Sequence, residues 1–105
     1  MNIKDRIDQD LRDSITLTVA TPQERMEQIA VREALVRLDR AINRFRPHEN
    51  GVTDFETPLT AEQVNAAVMG QVGFYEERME QMLNPREKER SERMITLLKG
   101  YLVEE

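Results

Sequence analysis

Three short segments of this chain spell the start of an α-helix, and together they constrain the fold more than any other feature. Thr21-Pro22-Gln23-Glu24 sets a hydroxyl at the N-cap and proline at the first helical position, where its missing N–H costs nothing. Glutamate then stands at N3 to bond back to the cap. Thr60-Ala61-Glu62-Gln63 repeats the capping box, with Leu59 and Val64 spaced as a hydrophobic staple. Asn84-Pro85-Arg86-Glu87 combines an asparagine cap with proline at N1 and glutamate at N3. Three helices are therefore expected from local hydrogen-bonding grammar alone.

The first capped helix is expected over residues 22–45. Val31, Ala34, Leu38, Ala41 and Phe45 recur at three- and four-residue spacing, with Met26, Leu35 and Ile42 widening the face. Pro47 and Asn50-Gly51 end it. The second carries Val64, Ala67, Val68, Val72, Tyr75, Met79, Met82 and Leu83 and stops at Asn84-Pro85, which makes an αα-hairpin with the third. That third helix is charged nearly all round from Arg86 to Arg93 and turns apolar at Met94, Ile95, Leu97, Leu98, Tyr101 and Leu102. Ahead of them, Ile3, Ile7, Leu11 and Ile15 mark a narrow stripe. Lys4 with Asp8, Arg6 with Asp10 and Asp8 with Arg12 are i,i+4 pairs that support a short N-terminal helix. The period then becomes two over residues 15–19, read as an extended connector, a strand paired with its copy in a dimer, or a helix continuation. Residues 46–58 form the one long connector, expected to be pinned by Val52 and Phe55. Glu24-Arg25-Met26-Glu27-Gln28 and Glu77-Arg78-Met79-Glu80-Gln81 match, but their flanks do not align, so no repeat is inferred.

With 105 residues there is room for one core, so residues 1–105 are read as a single helical domain. Apolar residues make up 39% and charged residues 33%, which implies a thin interior and wide solvated helix faces. The net charge of −5 repels nucleic acid and anionic membrane over most approaches. No cysteine is present, which removes disulfides, thiolate metal sites and thiol nucleophiles. Neither a leader-like apolar region nor a spanning apolar run is found, so the chain is expected to be soluble and cytoplasmic.

Nucleophilic catalysis is poorly supplied, because the sole His48 lies in a turn segment and the only serines are Ser14 and Ser91. His48 is read as a solvated loop imidazole. Glu76, Glu77 and Glu80 form an E-E-x-x-E patch, and Glu89 with Glu92 adds E-x-x-E on the next helix. The two sets resemble those of the helical nucleotide pyrophosphohydrolases, which implies an all-α metal-dependent nucleotide hydrolase as an alternative. Only the short 81–88 segment with Pro85 separates them here, and Arg78, Arg90 and Arg93 lie among them. Solvated helix faces explain the same residues.

Two constellations remain. Arg37, Arg40 and Arg44 stand at i, i+3 and i+7, with Arg46 just beyond, and suit phosphate or a partner's carboxylates. The plainer expectation is that Glu33 with Arg37, and neighbouring acids, neutralise the stripe as surface pairs. Phe74, Tyr75, Met79 and Met82, with Arg78 at their edge, form the second, since aromatic, methionine and arginine residues dominate interface hot spots. Phe74 and Tyr75 lie about 100° apart around a helix, so one of them points away from a narrow core stripe. The resulting expectation is an all-α small helical bundle of about four helices, with no cofactor, catalytic residue or metal. It would be a non-enzymatic regulator, inhibitor or adaptor, bacterial or phage in style, that docks on a larger protein and forms a homodimer. A nucleic-acid-associated regulator using the arginine stripe is the first alternative.

Overall fold

The computed structural model describes residues 3–15 and 21–104 and contains four helices: α1 (Ile3–Ile15), α2 (Pro22–Asn43), α3 (Ala61–Glu80) and α4 (Pro85–Lys99). Residues 16–19 of the expected extended segment lie outside the described residues. Both threonine capping boxes close reciprocally. Thr21 Oγ1 accepts from the Glu24 N–H and the Thr21 N–H donates to Glu24; Thr60 and Gln63 do the same. Asn84 accepts from the Arg86 N–H, one residue earlier than a capping box.

The helix α2 packs against all three others, and α3 folds back on α4 through the 81–84 link. Its buried stripe is Ala34, Leu35, Leu38, Ala41 and Ile42. Facing it are Val64, Ala67, Val68, Val72 and Tyr75 of α3, Met94 and Leu98 of α4, Ile7 of α1, and Tyr101 beyond α4. Leu59 of the staple packs against this core, in which Val64 is buried. The charged first turns of α4 are exposed, as their composition predicts, and burial begins at Ser91.

The polar residues of α1 dock the helix rather than pair along it. Lys4 does reach Asp8, at 3.8 Å, and also Asp39 of α2, at 3.9 Å. The expected Arg6–Asp10 pair does not form, because both side chains turn to the segment after α4. Arg6 donates to the Gly100 carbonyl at 2.9 Å and lies 4.3 Å above the Tyr101 ring, while Asp10 accepts the Tyr101 hydroxyl proton. A buried phenol needs such an acceptor, and one i,i+4 surface pair contributes too little to compete. Tyr101 thereby joins the first and last elements of the chain.

Three boundaries are corrected. Helix α2 stops at Asn43, two residues before Phe45, because Pro47 disfavours helical geometry at Arg46. The last turn tightens into Phe45 N–H to Ile42 O and Arg46 N–H to Asn43 O bonds, and Phe45 is left 40% exposed. Helix α3 ends at Glu80 and α4 at Lys99, so Leu83 and Leu102 are exposed. The 46–58 connector contains a hairpin, β1 (His48–Glu49) and β2 (Val52–Thr53), paired antiparallel with His48 opposite Thr53. Asn50 at φ 53° and Gly51 at φ 78° supply the left-handed pair that such a two-residue turn requires. Val52 is 69% exposed and pins nothing. The fastening is Arg46, which is buried, donates from Nε to Asn43 Oδ1 at 3.1 Å, and stacks 5.3 Å from the centre of the Phe55 ring.

Candidate functional site

A helix whose buried stripe centres on Leu38 presents its opposite side about 180° away. Ile29, nine residues earlier, falls there, and Val36, Arg40 and Arg44 lie within about 60° of Ile29 around the axis. The structure forms a groove of about 450 Å³ on this side, between α2 and Gln71 of α3. Four guanidiniums, from Arg32, Arg37, Arg40 and Arg44, face a single carboxylate there, that of Glu33. The expectation that acids neutralise the stripe is corrected for most of it. Arg37 Nε lies 3.2 Å from Glu33, but among the described residues no carboxylate lies within ion-pair distance of Arg32, Arg40 or Arg44. The physical reason is sequence spacing: Arg40 and Arg44 are preceded one turn back by Val36 and Arg40, and Asp39, adjacent to Arg40, points about 100° away toward Lys4 of α1. Arg46, assigned to the same stripe, instead fastens the hairpin segment.

Glu33 and Ile29 line a second groove as well, of about 270 Å³, where α2, α3 and α4 meet. Met26 and Ile29 stand 52% and 66% exposed at its edge, Met82 is half-buried, and Tyr75 and Met94 form its floor. Because the two hollows share residues, they make one continuous surface along residues 26–44 of α2, on the order of 27 Å long at 1.5 Å per residue. Its N-terminal half is apolar at Met26, Ile29 and Met82, with Glu33, Glu87, Arg78 and Arg90 also lining it, and its C-terminal half is cationic.

Phe74 and Tyr75 resolve as their angular separation requires. Tyr75 is buried in the core with its ring edge-on to Phe74, at 5.4 Å and 86°. Burial pushes its hydroxyl above the ordinary range, with the Glu33 charge adding to the shift. Phe74 is half-buried at the surface, with Arg37 4.2 Å and Arg78 5.9 Å from its ring centre. Glu33 accepts a hydrogen bond from Arg37 Nε at 3.2 Å and forms an ion pair with Arg78 at 3.6 Å, so one carboxylate pairs with both cations that approach the Phe74 ring. Met79 is half-buried and lines neither groove, while Met82 lines the apolar one.

Sequence reasoning missed Ile29 and Arg32, and it assigned Met26 to the core face. The available signal was angular: Ile29 lies opposite Leu38. At the far rim, Arg93 grips Glu27 with bonds of 2.6 and 2.8 Å, and Arg90 adds a contact at 3.5 Å. Those bonds from Arg93 hold the Glu27 carboxyl below its ordinary value.

The other candidates do not assemble. No group of three or more His, Asp or Glu side chains among the described residues converges to hold a metal ion. His48 Nδ1 meets Thr53 Oγ1 at 2.9 Å across the exposed hairpin. Ser14 donates to the Leu11 carbonyl and Ser91 to the Met82 sulfur. No helix among the described residues is long and apolar enough to cross a membrane. No family model, no curated protein and no solved structure matches the chain.

Proposed function

We propose that this chain is a non-enzymatic protein-interaction module, a small regulator, inhibitor or adaptor that docks on a larger protein through the outer face of α2. The observation that carries this reading is the continuity of the surface. The hollow edged by exposed Met26 and Ile29 joins, through Ile29 and Glu33, the one lined by Arg40 and Arg44, which meet no carboxylate among the described residues, and Phe74 lies against Arg37 and Arg78 at their side. Apolar anchors surrounded by arginine are the composition that concentrates binding energy at protein interfaces. Of the residues first assigned to such a surface, Phe74, Arg78, Met82, Arg37, Arg40 and Arg44 support it from the surface, and Tyr75 supports it from beneath.

A nucleic-acid-associated role has one observation in its favour, the three guanidiniums without carboxylates. Each phosphate contact adds only a modest, salt-sensitive increment, and the net charge of −5 opposes approach. The apolar half of the surface would also meet nothing on a phosphate backbone. The metal-dependent hydrolase alternative draws no support from the arrangement of Glu76, Glu77, Glu80, Glu89 and Glu92. Self-association as a dimer is a separate part of the proposal. It is carried by the thin apolar supply and by exposed Leu83 and Val52 rather than by the groove. Light scattering should then give a mass above 12.3 kDa, and a single monomeric species removes the dimer.

The test of docking is affinity capture on the immobilised chain from an extract of its native host. Three variants are compared with the parent: Ile29→Asp, Arg40→Glu with Arg44→Glu, and Arg12→Glu on α1. A protein retained by the parent and by Arg12→Glu but lost from both groove variants supports the reading. Retention unchanged across all variants rejects it, as does retention of nucleic acid alone.

A further inference from the structure

We infer that the occupant of the α2 face is an acidic amphipathic α-helix of the partner, about five turns long; this rests on the docking reading above and names the chemistry that docks.

The groove favours a helical occupant over an extended one. The groove walls are helix faces, whose N–H and C=O groups are already bonded within α2 and α3, and the one strand pair among the described residues lies in the 48–53 hairpin, not in the groove. A strand laid here would find no backbone partners, whereas a helix satisfies its own. The arginines of the groove set the sign of the occupant's charge. Arg40 and Arg44 are spaced one turn apart, with Arg32 two turns before Arg40, and none has a carboxylate within reach among the described residues. Residues one turn apart on a facing helix have the same repeat of about 5–6 Å, so glutamates at i and i+4 can meet both guanidiniums. The apolar end of the surface sets the rest of the occupant's sequence. At the other end the adaptable side chains of Met26 and Met82 and the exposed Ile29, with Glu33, Arg78, Glu87 and Arg90 around them, offer an apolar strip suited to leucines at i, i+3, i+4 and i+7. A surface on the order of 27 Å long accommodates a helix of about 18 residues.

The experiment is fluorescence anisotropy on the full chain with a labelled peptide of about 18 residues. The peptide carries leucines at helical spacing in one half and glutamates at i,i+4 in the other. A scramble of the same composition and a labelled single-stranded oligonucleotide serve as comparators. The patterned peptide is expected to bind at least about tenfold more tightly than the scramble. The Arg40→Glu with Arg44→Glu chain should weaken it about tenfold or more, as should Ile29→Asp, while circular dichroism stays unchanged and Arg12→Glu binds as the parent does. The inference is overturned by equal binding of the scramble, by tighter binding of the oligonucleotide, or by indifference to the arginine reversals. If the peptide fails while capture still yields an Ile29-dependent protein, the acidic-helix inference is wrong and the docking reading survives. If both fail, both fall.

Discussion

The guanidinium carbon of Arg37 lies 4.2 Å from the centre of the Phe74 ring, which joins α2 to α3 across the edge of the cationic groove. The adjacent Tyr75 is only 4% exposed, so two neighbouring aromatics have opposite duties. Tyr75→Glu places a charge in the core and should cost more than about 4 kcal/mol, with loss of the helical circular dichroism signal. Phe74→Glu puts its carboxylate beside Arg37 and Arg78 and should remain folded, losing about 1 kcal/mol of apolar burial. Equal stability losses in chemical denaturation would contradict this assignment.

Leu38 is fully buried at the middle of α2, among residues of a helix that touches all three others. Leu38→Ala should destabilise the fold by about 2–5 kcal/mol, the range for an aliphatic side chain removed from a site unable to collapse. A change in the urea midpoint corresponding to less than about 1 kcal/mol would place Leu38 outside the packed interior.

The Tyr101 hydroxyl is buried and donates to Asp10, and burial first, then that hydrogen bond, raises its pKa well above the ordinary value near 10. A raised folded-state pKa means that the unfolded chain loses the proton first. The contribution is therefore complete below about pH 10 and declines as pH rises toward the folded value. Tyr101→Phe should cost about 1–2 kcal/mol at neutral pH and flatten the decline in stability above pH 10. Unfolding curves of both proteins across the alkaline range read the difference, and parallel slopes would refute the role.

Glu27 behaves in the opposite sense. Hydrogen bonding from Arg93 lowers its pKa from an ordinary value near 4.5, against a smaller effect of burial. The unfolded chain takes up this proton first as pH falls, so the contribution is full above about pH 4.5 and is lost through the lower folded value. Glu27→Gln should therefore be less stable than the parent at pH 7, with the two proteins converging in acid. A gap that persists at the lowest pH would show that Glu27 acts through packing and not through charge.

The helix starts were legible in the chain because a cap is a local object. Thr21 with Glu24 and Thr60 with Gln63 close their bonds within three residues, and no distant part of the molecule enters. The apolar stripe of α2 and the four-helix class were legible for the same reason. The hairpin was not, since strands of two residues carry no alternation and only Asn50-Gly51 signalled it. Of the candidate surface, Arg37, Arg40 and Arg44 were legible as a spacing and Tyr75, Arg78 and Met82 as part of a cluster, while the other residues that line it were not.

Tertiary structure decided the remainder, because the destination of a side chain depends on groups far away in sequence. Arg6 and Asp10 are a plausible pair along one helix, yet Tyr101 and Gly100, more than ninety residues away, draw both of them off. Asp39 adjoins Arg40 in sequence but points about 100° away around the helix, to the side where α1 docks and brings Lys4 within 3.9 Å of it. No described element brings a carboxylate to Arg40 or Arg44, and the packing of α3 and α4 against α2 leaves Met26 and Ile29 exposed at the edge of the groove the three helices form. Periodicity assigns each residue an angle around its own helix. Which angles face water, and which charges are left without a partner there, is settled only when the helices compete for the same buried surface.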